Sequence, residues 1–144
     1  MNIQQLYTDL ILEYNKDTTN KRKLDNPTIS EHGHNASCGD DIVVEVRMAG
    51  GVIEDLAYTG SGCAISQASA AMMAELLRGR TAEEALRLVH LFLDMIRGNV
   101  TDEASLEELE AAISLKDISQ LPVRVKCAVL GWHTLEAALE KIRH

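Results

Sequence analysis

Apolar residues recur every three or four positions at the start of the chain. Ile3, Leu6, Leu10, Ile11 and Tyr14 form one stripe, which predicts a helix over residues 3–15. The stripe then stops. Asn15 to Asn26 has no apolar period and carries Lys16, Lys21, Arg22 and Lys23. It reads as a solvated loop running over the surface into Pro27, or as a basic contact patch.

The period then shortens to two. Ile42, Val44, Val46 and Met48 fall on one face of a strand, with Glu45 and Arg47 on the other. Ala49-Gly50-Gly51 is a turn, and Val52 to Thr59 returns as a second strand. A short strand around Ile29 to His34 adds a third. Strands joined by so tight a turn are antiparallel.

From Ala64 the pattern is helical. Ile65, Ala68, Met72 and Leu76 share a face, and Gly79 ends the helix. Thr81-x-x-Glu84 is a capping box for a helix running through Ile96 to a stop at Gly98. Ser105-x-x-Glu108 predicts a shorter helix. Pro122 opens the last one, where its missing N–H leaves no bond unmade, and Leu130, Leu135, Ala138, Leu139 and Ile142 are available for packing. A helix, a small three-stranded antiparallel sheet and then a run of helices make an α+β chain. At 144 residues this is one domain, 1–144.

Composition narrows the function classes. Hydrophobic residues make up 46% and aromatics only 3%, so the chain is not disordered and its core is aliphatic. No apolar run approaches the length of a membrane span, and no signal peptide precedes the first helix. A net charge of -8 argues against non-specific binding to nucleic acid or anionic lipid and favours a basic protein partner. There is no Gly-x-Gly-x-x-Gly, no glycine-rich stretch ending in Gly-Lys-Ser/Thr and no Ser/His/Asp triad. Three cysteines, an odd number without a secretion signal, argue against a disulfide framework. They place the chain in the reducing cytoplasm, where functional cysteines bind metal or react.

All three cysteines stand at element boundaries. Cys38 lies in Asn35-Ala36-Ser37-Cys38-Gly39-Asp40, where Gly39 lets Cys38 and Asp40 point at one spot. Cys63 follows Gly60-Ser61-Gly62 and precedes a helix N-terminus, whose partial positive charge suits a thiolate. Antiparallel pairing brings the end of the second strand beside the start of the first, and with it Cys63 beside Cys38. The last helix can deliver Cys127 to the same end. Three thiolates and the Asp40 carboxylate suit tetrahedral Zn²⁺. The same thiolates with a fourth ligand can hold an iron–sulfur cluster. Three cysteines can also simply be small buried hydrophobes.

The remaining candidates have plainer readings. His32 and His34 share one strand face as exposed residues or spare ligands. His90 sits among Leu88, Val89 and Leu91 as a core or partly buried residue, and His133 belongs to a helix surface. Trp132, Met72 and Met73 are packing residues. Glu103, Glu107, Glu108 and Glu110 form a solvated acidic face.

Asn35 to Asp40, Gly60 to Ser69 and Arg124-Val125-Lys126-Cys127-Ala128 together resemble the three signature segments of the U-type (IscU/NifU N-terminal-like) iron–sulfur assembly proteins, in order and over nearly the whole chain. Classical scaffolds of that family have His before the third cysteine, where this chain has Lys126. The stretch between Cys63 and Cys127 is also long, with residues 81–98 as part of the extra material. Both features resemble the SufU-type branch. One departure is Ala36-Ser37, where the family often has Pro.

That resemblance implies a zinc site made by Cys38, Asp40, Cys63 and Cys127. It implies sulfur transfer, with Cys38 accepting persulfide sulfur from a SufS-type cysteine desulfurase and passing it to a downstream iron–sulfur scaffold complex. Arg124 matches an arginine that matters in the branch, to stabilise a released Cys38 thiolate or position Asp40. The partner would supply a substitute ligand when Cys38 leaves the metal. The alternative within the family is a scaffold that assembles a [2Fe–2S] cluster on the same residues. The expected assembly is a monomer or weak homo-oligomer.

Overall fold

The computed structural model describes residues 9–37 and 39–143. Ile3 and Leu6 of the predicted first helix, and Cys38, lie outside the described residues. The remaining part of that helix, α1 (Asp9–Lys16), buries Ile11. Asp17 stops it by accepting from the backbone N–H and the hydroxyl of Thr19, at 2.9 and 2.6 Å.

The basic segment that follows runs over the surface as expected, with Lys16, Lys21, Arg22 and Lys23 exposed, but it is pinned at two points. Asn20 and Leu24 are buried. The Tyr58 backbone N–H donates to the Asn20 carbonyl at 3.0 Å, and the Leu24 N–H to Glu45 Oε1 at 2.9 Å. Arg22 pairs with Asp55 at 2.8 Å, and Asp55 also receives Arg78 at 2.9 Å. Burial alone would raise the Asp55 carboxyl, but donors from Arg22, the Leu56 N–H and Arg78 outweigh it and hold the group at about 2. The lack of an apolar period fits this exposed course. The segment is held instead by hydrogen bonds and one ion-pair network, which periodicity does not report.

The strands β1 (Ile29–Asn35), β2 (Asp40–Ala49) and β3 (Val52–Ser61) form an antiparallel sheet in the order β1-β2-β3. Asn35 is paired with Asp40 and Gly33 with Ile42, while Asp41 is paired with Ser61. Asp40, Ile42, Val44 and Val46 alternate onto the buried face. That face ends in a polar residue, Asp40, at the corner where β2 begins and β3 ends.

α2 (Ala64–Leu77) lies in the middle of the core, with Ile65, Ala68, Met72 and Met73 fully buried. Its Ala and Ser residues let neighbouring elements approach closely. α3 (Ala82–Ile96) is capped by Thr81, whose Oγ1 accepts from the Glu84 N–H at 3.1 Å, as the capping box predicts. The next helix starts earlier than its predicted box. α4 (Glu103–Leu106) is capped by Asp102, which accepts from the Ser105 N–H at 3.0 Å, so Ser105 sits in the first turn. The carboxylate three residues upstream supplies the cap, and Asp and Ser serve equally well in that role. A 3-10 segment, Glu107–Gln120, bends at Glu110 and leads to α5 (Pro122–Arg143).

α5 covers the buried face of β1 and β2. Gly33 makes this possible: a Cβ there would stand 2.0 Å from Thr134 Oγ1 and 3.3 Å from Ile42 Cγ2. Trp132 is fully buried, stacks on Phe92 at 3.9 Å between ring centroids, and donates its indole N–H to Ser69 Oγ at 2.9 Å. Ser69 Oγ in turn reaches the Ala128 carbonyl at 2.6 Å, tying α2 to α5.

His90 is not a core residue. It points outward from α3, 58% exposed at the side chain, and meets Glu136 of α5 at 2.7 Å. The apolar neighbours that suggested burial lie around the helix on its other face. His133, on the surface, approaches the same carboxylate at 3.5 Å.

Candidate metal centre

Three elements meet at the polar corner of the sheet. β2 supplies Asp40 as its first residue. The residues after β3 supply Cys63, and the second turn of α5 supplies Cys127. One ligand atom from each of Asp40, Cys63 and Cys127 lies within 4.8 Å of the other two. Among the described residues no other group of three His, Cys, Asp or Glu side chains meets that distance.

Each member is fixed by local chemistry. Cys63 is the N-cap residue of α2, in extended conformation, and its side chain makes no cap hydrogen bond. The capping acceptor comes from another strand. Asp40 Oδ1 accepts from the Cys63 N–H at 3.1 Å and lies 3.4 Å from Ser66 Oγ, which also reaches the Cys63 carbonyl at 3.1 Å. Gly62 makes room for that carboxylate. A Cβ on Gly62 would fall 2.6 Å from Asp40 Oδ1 and 2.2 Å from Ser66 Oγ. At Gly60, φ is +122° and a Cβ would strike the Asp41 carbonyl oxygen at 2.0 Å, so the chain can only pass this close to β2 without a side chain. Cys127 is fully buried, with Sγ 4.0 Å from the Val123 carbonyl one turn earlier.

The electrostatics favour anions here. The N-terminus of α2, the partly positive end of the helix, begins at Cys63, and its first turn carries no acidic residue. Asp40 is 1% exposed. Its Oδ1 is engaged, but its Oδ2 is buried and has no hydrogen-bond partner. A buried carboxylate oxygen without a donor is unfavourable unless a cation satisfies it. The residues therefore fit a metal ion. Two sulfurs and a buried oxygen at mutual ligating distance are the donor types that Zn²⁺ and iron both accept. Cys63 is half-buried, so the group is open to solvent on its side.

The other predicted residues are placed as follows. Cys38 lies outside the described residues. Arg124 is half-buried in the first turn of α5, three residues before Cys127. Lys126 is exposed. His32 and His34 are exposed on the outer face of β1, with ring centroids 6.5 Å apart and His32 Nε2 at 2.5 Å from Asp41 Oδ1. The structure does not gather them with the ligand group.

Two supporting residues carry no separate signal in the sequence analysis. Ser66 stands at the third position of a helix capped by Cys63. Asn35 is 9% exposed and is paired with Asp40 across the β1–β2 register. A serine three residues after a helix N-cap is a readable clue; Asn35 needed the register.

Known proteins resemble this chain over nearly its whole length. The family described as NifU-like N terminal domain matches residues 6–144. The chain is 39% identical to the iron-sulfur cluster assembly scaffold protein IscU of Thermotoga maritima, covering 99% of this chain and 98% of that one. It is 37% identical to the zinc-dependent sulfurtransferase SufU of Bacillus subtilis, covering 97% and 93%. A crystal structure from Fervidobacterium islandicum, described as an iron-sulfur cluster assembly scaffold protein for the SUF system, superposes with a TM-score of 0.88 at 37% identity, covering 96% of this chain and 99% of that one.

Proposed function

The chain belongs to the NifU-like N-terminal domain family of IscU- and SufU-type iron–sulfur cluster assembly proteins, and from that membership we propose that it is a zinc-dependent sulfur acceptor. Cys38 takes sulfur from a cysteine desulfurase and passes it to a downstream cluster-building complex. Asp40, Cys63 and Cys127, with Cys38, would hold the zinc, which when bound keeps its thiol ligands deprotonated.

The observation that carries this reading is the donor set. Asp40 Oδ2 is a buried acceptor lacking a donor, an oxygen of the same carboxylate lies within 4.8 Å of two cysteine sulfurs, and Lys126 occupies the position before Cys127. An ammonium group has no lone pair to give a metal, so Lys126 cannot stand in for a ligating histidine. The SufU of Bacillus subtilis, named a zinc-dependent sulfurtransferase, supports the same choice.

The transfer itself is thiol–disulfide exchange. The Cys38 thiolate attacks the terminal sulfur of the desulfurase persulfide. An S–S bond forms on Cys38, the desulfurase S–S bond breaks, and the desulfurase cysteine leaves as a thiolate. The Cys38 persulfide carries the sulfur onward. Arg124, a cation one turn before Cys127, stabilises anionic sulfur at this end of the sheet or orients Asp40. The reaction needs reduced thiols, and we place it in the cytoplasm.

A second reading is a scaffold for a [2Fe–2S] cluster, favoured by the scaffold named in Thermotoga maritima. Metal content and an absorbance spectrum separate the two. About one zinc per chain without colour is expected; iron and sulfide with visible absorption would establish the scaffold. The decisive variant is Cys38→Ala. It should abolish sulfur uptake from a persulfidated desulfurase and leave the far-UV circular dichroism unchanged. A variant that still accepts sulfur at the parent rate refutes the role of Cys38.

A further inference from the structure

Three buried side-chain atoms among the described residues have no hydrogen-bond partner: Asp40 Oδ2, Gln67 Oε1 and Asn35 Nδ2. Asp40 belongs to the ligand group, where a metal accounts for it. Asn35 Nδ2 is a donor, so a cation cannot satisfy it.

The surroundings of Asn35 are specific. Its Oδ1 accepts from the Ser37 backbone N–H at 3.2 Å, an Asx turn that shapes the segment entering Cys38. Its Cα pairs with that of Asp40, so the two side chains leave the same face of the sheet. Asn35 also lines a depression of about 290 Å³ with Lys126, Val129 and Leu130 of α5, the helix that carries Cys127. An unpaired buried donor thus stands beside an unpaired buried acceptor, at the corner where the sulfur chemistry takes place, and the two do not satisfy each other. Leaving both unmet is costly in the isolated protein. It is consistent if each has a reaction component as its partner: a cation for Asp40, anionic sulfur for Asn35.

We propose that Asn35 is a positioning residue for sulfur transfer: its Oδ1 sets the turn before Cys38, and its Nδ2 donates to the anionic sulfur that this corner of the protein receives. The proposal rests on the sulfur-acceptor reading above. It goes further by assigning the donor that stabilises the thiolate and persulfide anions.

The two halves of the carboxamide can be tested apart. Asn35→Asp keeps an oxygen for the Ser37 N–H and removes the donor. Asn35→Ser keeps a short oxygen acceptor, lacks the amide and adds no charge. The assay is single-turnover sulfur uptake by the zinc-loaded protein from a cysteine desulfurase preloaded with radiolabelled persulfide. A second readout is the pH profile of Cys38 labelling by iodoacetamide, followed by peptide mass spectrometry. A hydrogen bond to a charged group is worth about one tenfold step or somewhat more, so both variants should lose about tenfold in uptake rate. The labelling midpoint should move up by about one pH unit, since the donor favours the anion. Zinc content and melting temperature should stay near the parent's, because the turn is retained.

Parent-like uptake and labelling in both variants would show that Asn35 only shapes the turn, and would overturn the proposal. Impairment of Asn35→Asp alone would trace the effect to the added charge and overturn it too. A parent protein that takes up no sulfur would instead bring down the acceptor reading, and this inference with it.

Discussion

Replacing Asp40 with Asn should change stability in opposite directions with and without metal. Asp40 is 1% exposed; Oδ1 accepts from the Cys63 N–H at 3.1 Å, and Oδ2 has no partner. In the metal-free protein Asn keeps the first interaction and removes the buried carboxylate. An unmet buried polar group costs about 1–3 kcal/mol, and more when charged. The amide brings a new N–H that the nearby sulfurs satisfy only weakly, so about 1–2 kcal/mol should be recovered. At about 2–4 °C per kcal/mol for a chain of this size, metal-free Asp40→Asn should melt about 2–8 °C above the metal-free parent. With zinc the order reverses. Binding stabilises by RT ln(1 + [L]/Kd), so each hundredfold loss of affinity removes about 2.7 kcal/mol of the zinc-dependent increment. A hundredfold loss on removing one ligand should therefore shrink the gap between loaded and metal-free melting temperatures by about 5–11 °C. The assay is thermal unfolding by circular dichroism with saturating zinc and with excess chelator. Zinc affinity is measured separately against a chromophoric chelator. If metal-free Asp40→Asn melts below the parent while the zinc increment is unchanged, Oδ2 is not an acceptor awaiting a cation and the site argument fails.

Two further outcomes follow from the packing and the charges. Gly33→Ala should destabilise the fold by about 1–3 kcal/mol, the usual cost of overpacking, because its Cβ would stand 2.0 Å from Thr134 Oγ1. Adding Thr134→Ala removes that atom, so the double variant should recover part of the loss in urea unfolding; strict additivity would show that the contact is not the cause. Asp55 is held at about 2, so its ion pairs stabilise the fold above the ordinary aspartate range, and that contribution is lost as pH falls towards 2. Asp55→Asn should therefore lower stability by about 1–2 kcal/mol at pH 7, with the deficit shrinking below about pH 4. A deficit that persists undiminished at pH 2 in urea titrations contradicts the linkage.

Much of this protein follows from its sequence. Strand and helix periods are local properties, set by which side chains can share a face, so the β2–β3 hairpin and the helices over residues 64–77, 82–96 and 122–143 are legible directly. The same holds for one consequence of topology: a tight antiparallel turn must bring the residues before β2 beside those after β3, and Asp40 and Cys63 meet there. Sequence patterns also located the cysteine-bearing segments and the Thr81 cap. They misplaced His90 and the start of α4, and they did not report the contacts that pin the basic segment. His90 sits in an apolar stretch of sequence, but the helical period puts it with Glu83 and Arg87 on the exposed face of α3, where it meets Glu136. The basic segment lacks a period, but Asp55, Tyr58 and Glu45 hold it down. Asp102 took the capping role assigned to Ser105, one of two equally suited N-cap residues three positions apart.

What only the tertiary structure decided is the state of each polar atom at the corner. Sequence identifies Asp40 as a candidate ligand, but cannot show that one of its oxygens caps α2 while the other is buried without a donor. Nor can it show that the missing Cβ of Gly62 leaves the space in which that carboxylate lies, or that Asn35 shares its face. Hydrogen bonding and desolvation depend on atoms brought together from β1, β2, α2 and α5. Sequence order encodes which residues are available, and the packed fold determines which of their bonds are left unmade.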